Sequence, residues 1–481
     1  MTEQTLPVAI VLAAGEGTRM KSAMPKVLHG FAGRSLLGHV LAAADAAGTA
    51  GSWVVVGHGR EAVTAHLADI APAATAVVQK EQRGTGHAVR TALDQIEATA
   101  AETVLVLPGD APLLRNDALR ALVDAHHATG AAATMLTSEV DDPSGYGRVI
   151  RGADGSVSRV VEHRDASADE LLVREISALV YVFDGARLRS ALGRLSTDNS
   201  QGEEYLPDVV GILRADGLPV IAVLAPAADT AGVNDRVQLA AAAATYNARL
   251  LEVHMRAGVT VQDPASTWVD ADVSLSRDVT LLPGTDLRGL SRVDEGAVIG
   301  PQTSLTDTAV GARSTVERAV CRQSVIGADV SIGPYAYLRP GTRLADDVHV
   351  GTYVELKNSE VGAGSKVPHL SYVGDATIGE RTNIGAATIF VNYDGAAKHR
   401  STVGSDVRIG SDNTLVAPVE IGDGAYSGAG TVIRQDVPAG SLAVSMGPQR
   451  NIEGWVARKR PPAEPASSSP RGDAKTEHPD D

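Results

Sequence analysis

The chain has a single cysteine, Cys321, among 481 residues. No intramolecular disulfide can form, which excludes the cross-linked secreted scaffolds and fits a reducing, cytoplasmic setting. Aromatic residues are scarce, with three Phe, three Trp and ten Tyr. A conventional single core is richer in such side chains, and repeat architectures are one way to do without them. Positive charge is outweighed, since 43 Lys and Arg stand against 58 Asp and Glu, for a formal charge of −15. That balance argues against nonspecific nucleic-acid binding, and any phosphate site must draw on local cations and metal. No apolar stretch reaches the roughly 20 residues of a membrane span. The N-terminus, MTEQTLPVAIVLAAGEG, lacks a basic n-region, and its apolar run leads into a glycine loop, so it does not read as a signal peptide.

That loop is the most informative stretch present. Residues Leu12 to Lys26 read LAAGEGTRMKSAMPK. The apolar run Val8 to Leu12 reads as a buried strand. It breaks at Ala13, Ala14 and Gly15 into Gly15-Glu16-Gly17-Thr18-Arg19, and Pro25-Lys26 follows. Glycines let backbone N–H groups approach a phosphate chain, and Arg19 and Lys26 supply two cations for a triphosphate. A dinucleotide fingerprint needs a third glycine where Met20 stands, and a Walker loop needs a Gly-Lys-Ser/Thr that is absent. A second apolar strand, Val104 to Leu107, ends in Pro108-Gly109-Asp110. A carboxylate at the C-terminal end of a parallel strand is where α/β folds place ligand chemistry.

Two hydrophobic periods divide the chain. Residues 1–233 alternate strands (53–56, 76–79) with helices (60–67, 85–96), which predicts a mostly parallel sheet. Val233-Asn234-Asp235 then caps a long helix over about 235–255, a connector within 234–258. From 259 to 457 the period becomes six. Val293, Ile299 and Leu305 begin it. Ile326, Ile332, Leu338, Leu344, Val350 and Leu356 carry it on, followed by Ile378, Ile384, Phe390 and by Val403, Ile409, Leu415, Ile421. Inward aliphatics at that spacing are the hexapeptide repeat of a parallel β-helix. The run slips near Ser359 to His369, which predicts a loop leaving the helix there. Residues 458–481, rich in Pro, Ser and mixed charge, read as a disordered tail.

The motif G-x-G-T-R followed by P-K resembles the sugar-phosphate nucleotidyltransferases. The segment Gln79 to Ala88, QKEQRGTGHA, resembles their base-recognition segment, which implies that Gln79, Gly84 and Thr85 contact uracil. The hexapeptide half resembles the left-handed β-helix acyltransferases, and the hand of the helix is implied by that resemblance alone. Together the halves resemble, over about residues 7–456, a bifunctional bacterial enzyme family. Its members are both glucosamine-1-phosphate N-acetyltransferases and N-acetylglucosamine-1-phosphate uridylyltransferases, and they supply UDP-N-acetylglucosamine for the cell wall.

For uridylyl transfer the resemblance implies that Leu12, Ala13, Ala14, Gly15, Gly109 and Lys26 embrace UTP. It implies that Arg19 and Lys26 act on the phosphates, that Asp110 and Asn234 hold Mg²⁺, and that Tyr146-Gly147-Arg148 and Glu162 belong to the segments around the sugar. For acetyl transfer it implies that His369, in the H-L-x-Y motif, is the general base for the attacking amine. Arg339, Lys357, Tyr372, Asn383 and Lys398 then contact the sugar phosphate, and Asn392 and Tyr393 contact substrate and acetyl-CoA. Ala386, Ser411 and Ala429 line the pantetheine path. Arg339 and Lys357 bracket three hexads, one full coil, so they can lie near one another. Family β-helices trimerise, with active sites between neighbouring chains, which implies a homotrimer.

Two positions depart from the family pattern. Ser177-Ala178-Leu179 stands where the family has Asn-Ser/Thr-Gly, and a serine lacks the amide that bonds the sugar. Weaker sugar binding, with chemistry retained, is expected. Met446 stands where many members carry an Arg for the coenzyme A phosphates, leaving Arg450 or Lys459 to serve. Two other readings compete. One is a monofunctional nucleotide-sugar pyrophosphorylase whose β-helix only assembles or regulates, which has no use for His369, Lys357 and Lys398. The other is a noncatalytic nucleotide-sugar sensor, which has no use for the full set Arg19, Lys26, Asp110 and Asn234.

Overall fold

The computed structural model describes residues 6–459, apart from Thr99, Met446 and Pro448. The coenzyme A position at Met446 and most of the expected tail therefore lie outside the described residues. Nine strands form one N-terminal sheet: Val8–Ala13 (β1), Gly51–Val56 (β2), Thr75–Val78 (β3), Thr103–Pro108 (β4), Ala133–Glu139 (β5), Arg148–Arg151 (β6), Val157–Val161 (β7), Glu175–Asp184 (β8) and Val220–Leu224 (β9). Their order is β9-β5-β8-β4-β1-β2-β3, with the β6–β7 hairpin paired onto β8. β1 is central, parallel to β2 and β4, and apolar on both faces because helices cover the sheet on each side. β8 runs antiparallel to β4 and β5, and its register slips between Ser177 and Tyr181. The helix expected over 85–96 stops at Leu93, and tight bonds from Gln95 to Ala92 and from Ile96 to Leu93 finish it.

The long helix Arg236–Arg256 begins where the Asp235 carboxylate accepts the Gln238 N–H at 2.8 Å. It packs its Tyr246 ring against Phe31 and His39 of the N-terminal half. The hairpin between Gly30 and Ser35 also touches the first coil beyond the helix. Ala271 donates to the Ala32 carbonyl at 3.0 Å, and Arg34 pairs with Asp272 at 2.5 Å.

Beyond Val259 the chain winds through three parallel sheets of seven, ten and nine strands, the layout of a parallel β-helix. The inward column of the ten-stranded sheet runs Leu287, Leu305, Cys321, Leu338, Leu356, with Val373, Phe390, Leu415 and Ile433 on the later coils. All are buried, Cys321 among them. Hydroxyl residues sit two positions before many aliphatics, on all three sheets. Thr303, Ser314, Ser359 and Ser371 are buried and each donates its hydroxyl to a carbonyl of the next coil. The Gly that follows many aliphatics has a packing reason. At Gly379 a Cβ would lie 2.6 Å from the Gly404 carbonyl carbon of the neighbouring coil.

The loop expected at 359–369 is absent. Glu360–Val361 pairs in register with the coils on both sides, and Lys366–His369 pairs in register with the coil before it and bridges Asn383 of the next. The lost residue is absorbed at the corner by Asn358, whose φ is +47°. The excursion comes later. Val361 pairs with Ile378, 17 residues on, but Ile378 pairs with Val403, 25 residues on, and the extra chain between Val391 and Ser401 forms a hairpin.

Two candidate active sites

The glycine loop after β1 borders a cleft of about 370 Å³, lined by Leu12, Ala13, Ala14, Gly15, Lys26, Gln79, Gly84, Thr85, Asp110 and Leu179. A Cβ on Gly15 would meet nothing within 4 Å, so the loop backbone faces open space. Gly17, at φ +67°, has the Lys26 Cβ 2.5 Å from where its own would be, so a side chain there would displace the lysine. Gly109 lets the end of β4 close on β1, donating to the Leu12 carbonyl at 2.9 Å.

Four polar side chains converge at the mouth. The Lys26 ammonium pairs with the Asp110 carboxylate. Asn234 Oδ1 accepts from Lys26 Nζ at 3.2 Å and from Arg19 Nη2 at 2.9 Å. The backbone fixes this arrangement, because Val233 N–H donates to the Asp110 carbonyl at 2.8 Å. Two hard oxygens, Asp110 Oδ2 and Asn234 Oδ1, thus face one ammonium. That donor set suits Mg²⁺, which takes few protein oxygens and keeps its waters. Tyr146 faces the same group. Burial raises its phenol above the usual range, and Asp110 raises it further.

Across the cleft from this polar group, Gln79 is buried and spends its amide on the Gly84 carbonyl (3.2 Å) and His87 Nδ1 (2.9 Å). Thr85 Oγ1 accepts from Leu206 N–H at 3.0 Å. The loop is clamped by a residue the sequence reading missed. Glu204 is buried, pairs with Arg83 at 2.9 Å and Arg90 at 2.5 Å, and accepts the Gly86 N–H at its carbonyl. Its GEEY context carries no local signal that it reaches back more than a hundred residues. Gln82 was missed too. Its amide donates to the Ala14 carbonyl at 2.7 Å and ties the two loops together.

The expected sugar residues form a neighbouring group. Ser177 N–H donates to the Gly147 carbonyl at 2.9 Å, and Glu162 Oε1 lies 3.4 Å from where a Gly147 Cβ would be. Burial holds the Glu162 carboxyl above the usual carboxylate range, with Asp208, Asp165 and Glu203 adding to it. Arg148 turns inward instead. It is 1 % exposed and donates to the carbonyls of Pro143 and Tyr146, so it builds the loop and is not free for the sugar. The Ser177 hydroxyl is committed, bonding the Tyr181 hydroxyl at 2.7 Å and accepting from Leu179 N–H at 3.3 Å. Leu179 sits at φ +58°, a left-handed conformation that costs a non-glycine residue about 1–2 kcal/mol.

In the β-helix, His369 ends the strand Lys366–His369 with its imidazole exposed and, among the described residues, unbonded. Its carbonyl accepts from Ala387 N–H, the Ala386 carbonyl from Asp412 N–H, and the Ser411 carbonyl from Gly430 N–H. His369, Ala386, Ser411 and Ala429 therefore mark one corner, coil after coil. Asn383 lies beside Lys366 on the sheet that His369 ends.

Past the corner, the adjoining sheet carries the other group. Tyr372 pairs with Glu355, and Lys357 with Gly374, on neighbouring strands. The Tyr372 hydroxyl lies over Gly374, where any Cβ would collide with it. Lys357 bonds Asp375 at 3.4 Å, and Asp375 also accepts from Asn358 (2.7 Å) and Asn392 (2.5 Å). Hydrogen bonds from these amides and the nearby Lys357 charge keep the Asp375 carboxyl below its usual range despite burial. Arg339, one coil before Lys357, pairs with Glu355 at 2.9 Å. Tyr393 and Lys398 face each other across the hairpin at 391–401.

The family model described as a MobA-like NTP transferase domain matches residues 9–208, and that of the hexapeptide repeat of succinyl-transferase matches residues 401–435. Among curated relatives, the Bifunctional protein GlmU of Streptomyces avermitilis is 58 % identical over 96 % of this chain and 98 % of its own. Its namesake from Thermobifida fusca is 57 % identical over 98 % of each chain. That of Mycolicibacterium vanbaalenii is 53 % identical over 94 % of this chain and 93 % of its own.

Proposed function

Because the chain belongs to the family of bifunctional GlmU proteins, we infer that it makes UDP-N-acetylglucosamine in two steps. The C-terminal half transfers acetyl from acetyl-CoA to the amine of glucosamine-1-phosphate. The N-terminal half then joins N-acetylglucosamine-1-phosphate to UTP, releasing pyrophosphate. The observation that carries this reading is the convergence, in one chain of this family, of Arg19, Lys26, Asp110 and Asn234 at the glycine loop and of a free His369 at the head of a corner of small residues.

In the uridylyl step the sugar-phosphate oxygen attacks the α-phosphate of UTP. Positioning and charge neutralisation supply most of the acceleration. Arg19 and Lys26 neutralise the phosphates, the clamped Gln79–Thr85 loop receives the base, and Glu162 with Gly147 borders the sugar. Asp110 and Asn234 would hold Mg²⁺, which when bound neutralises phosphate charge. This domain spans residues 1–233, and 234–258 connects it to the acetyl-transfer domain at 259–457.

In the acetyl step His369 Nε2 or Nδ1 takes a proton from the amine as it attacks the thioester carbon. The carbon–sulfur bond breaks and coenzyme A leaves as thiol. Arg339, Lys357 and Lys398 hold the sugar's phosphate, Tyr372, Asn383, Asn392 and Tyr393 orient it, and the corner of Ala386, Ser411 and Ala429 lets pantetheine lie close. The enzyme works in the cytoplasm as a homotrimer. Support for a second copy is an apolar ladder beside His369. Tyr335 and Tyr353 stack at 5.3 Å, and they and Leu370 are each more than half exposed. A monomeric mass by light scattering with acetyl transfer intact would refute the trimer. Mass spectrometry of glucosamine-1-phosphate incubated with acetyl-CoA, UTP and Mg²⁺, omitting each in turn, tests the whole sequence. No acetylated product without UTP, or no UDP-sugar with all present, sinks the corresponding half.

A further inference from the structure

The hairpin that leaves the β-helix after Val391 carries side chains that hold it in place and do not face the substrate groups. At its tip the Asp394 carboxylate accepts the N–H groups of Ala396 (2.8 Å) and Ala397 (2.7 Å) and bonds His399 Nε2 at 2.6 Å. These contacts hold its carboxyl far below the usual range. His399 returns its backbone N–H to the Asn392 carbonyl at 2.8 Å, so the Asp394–His399 bond closes one arm of the hairpin on the other. At the root, Arg400 spreads its guanidinium over two earlier coils. It donates to Thr377 Oγ1 at 2.8 and 3.0 Å, to the Ala376 carbonyl at 2.9 Å and to the Asn358 carbonyl at 3.2 Å.

What this clasp holds is an unfavourable neighbour. Lys398 faces Tyr393 across the hairpin, whose root at Asn392 shares Asp375 with Lys357, so the two lysines are neighbours, and Lys357 keeps Lys398 below the ordinary lysine range. Asp375, the nearest carboxylate, is already shared among Lys357, Asn358 and Asn392. A lysine on a solvated loop has a flexible stem, and an unrestrained loop would swing it away from a like charge. Held there, two cations offer a multi-oxygen anion a site that is assembled before it arrives.

On the reading that the acetyl acceptor is a sugar phosphate, we propose that Asp394, His399 and Arg400 are positioning residues. They hold the 393–398 hairpin so that Lys398 stands beside Lys357 before the acceptor's phosphate binds. None of the three touches the reacting atoms. Their work is to lower the free-energy cost of bringing the second cation to the phosphate.

The test uses the full chain with Asp394→Ala, His399→Ala and Arg400→Ala, each assayed for thiol release against glucosamine-1-phosphate, acetyl-CoA and unphosphorylated glucosamine. Uridylyl transfer to supplied N-acetylglucosamine-1-phosphate reports folding. The KM for glucosamine-1-phosphate should rise about two- to fivefold for the exposed Asp394–His399 pair and roughly tenfold for Arg400, whose charged donors make several bonds. The kcat and the KM for acetyl-CoA should stay within about twofold, since no group at the reacting centre has changed. With glucosamine, which has no phosphate, the variants should match the wild type. His399→Gln keeps a donor for Asp394 and should recover the wild-type KM, whereas Arg400→Lys, a point charge without the fork, should not. An unchanged KM in all three variants overturns the proposal, as does an equal loss with glucosamine or a parallel fall in kcat. A wild type that leaves glucosamine-1-phosphate unacetylated sinks the acceptor reading itself, and the proposal with it.

Discussion

Arg19 and Asn234 meet through a 2.9 Å hydrogen bond that spans most of the N-terminal half of the chain. The same Asn234 oxygen accepts from Lys26, which pairs with Asp110. The strand-end carboxylate, the loop cations and the residue just before the long helix are thereby one unit. Asn234→Ala or Asp110→Asn should slow pyrophosphate release by about 10²–10³, the usual effect of losing one preorganised charge-stabilising group. Coenzyme A release should not change, because the acetyl site lies in the other half. Chelation with EDTA should reproduce that split.

His369→Ala should cut acetyl transfer by about 10²–10⁴, the range for a lost general base, and leave uridylyl transfer intact. Undiminished acetylation of glucosamine-1-phosphate by this variant would show that another group takes the proton.

The sugar end of the uridylyl cleft makes a third prediction. Ser177 is committed to Tyr181, and Leu179 bears left-handed backbone strain. The double change Ser177→Asn with Leu179→Gly should lower the KM for the sugar phosphate while the KM for UTP holds. An unchanged sugar KM would mean that this wall does not touch the acceptor. Leu179→Gly alone should leave Tm nearly unmoved, since relief of about 1–2 kcal/mol of strain is offset by the roughly 0.5–1 kcal/mol that glycine loses in chain entropy together with the lost packing of Leu179 against the core.

Glu162 gives a pH signature. Its carboxyl titrates above the usual range in the folded chain because burial disfavours its charge. Below the unfolded carboxylate range the protonated group carries no penalty. As pH rises through the folded value, the chain must bury a charge and loses that stability. Glu162→Gln should therefore raise Tm little near pH 4, more as pH climbs, and by a constant amount above the folded value. Thermal unfolding of both proteins from pH 4 to 8 checks this. A gain that shrinks with rising pH would reverse the assignment.

Much of this molecule was legible in its sequence because its signals are local or periodic. The strand–loop–cation run at 8–26 and the six-residue spacing of Ile326, Ile332 and Leu338 each need only neighbours to be read. The corner at Asn358 was misread for the same reason. Counting aliphatics assumes six residues per side, while a left-handed corner residue closes a side with five. The excursion stood in the gap between Phe390 and Val403, which the period alone does not interpret. The recurring hydroxyls of Thr303, Ser314 and Ser359 were also in plain view, each two residues ahead of an aliphatic, and became meaningful only once neighbouring coils supplied the carbonyls. Glu204 and the inward turn of Arg148 were beyond reach, since both depend on which distant backbone arrives beside them.

Cys321 sits in the inward column between Leu305 and Leu338, and burial pushes its thiol up to about 12. A thiol so placed is neither ionised at neutral pH nor reachable by reagents. The folded enzyme is therefore silent toward aromatic disulfides, and any yellow colour that such a reagent develops during turnover belongs to the coenzyme. A slow second phase of colour, growing only as denaturant is added, would mark the β-helix coming apart around its one thiol, an internal clock for the opening of that column.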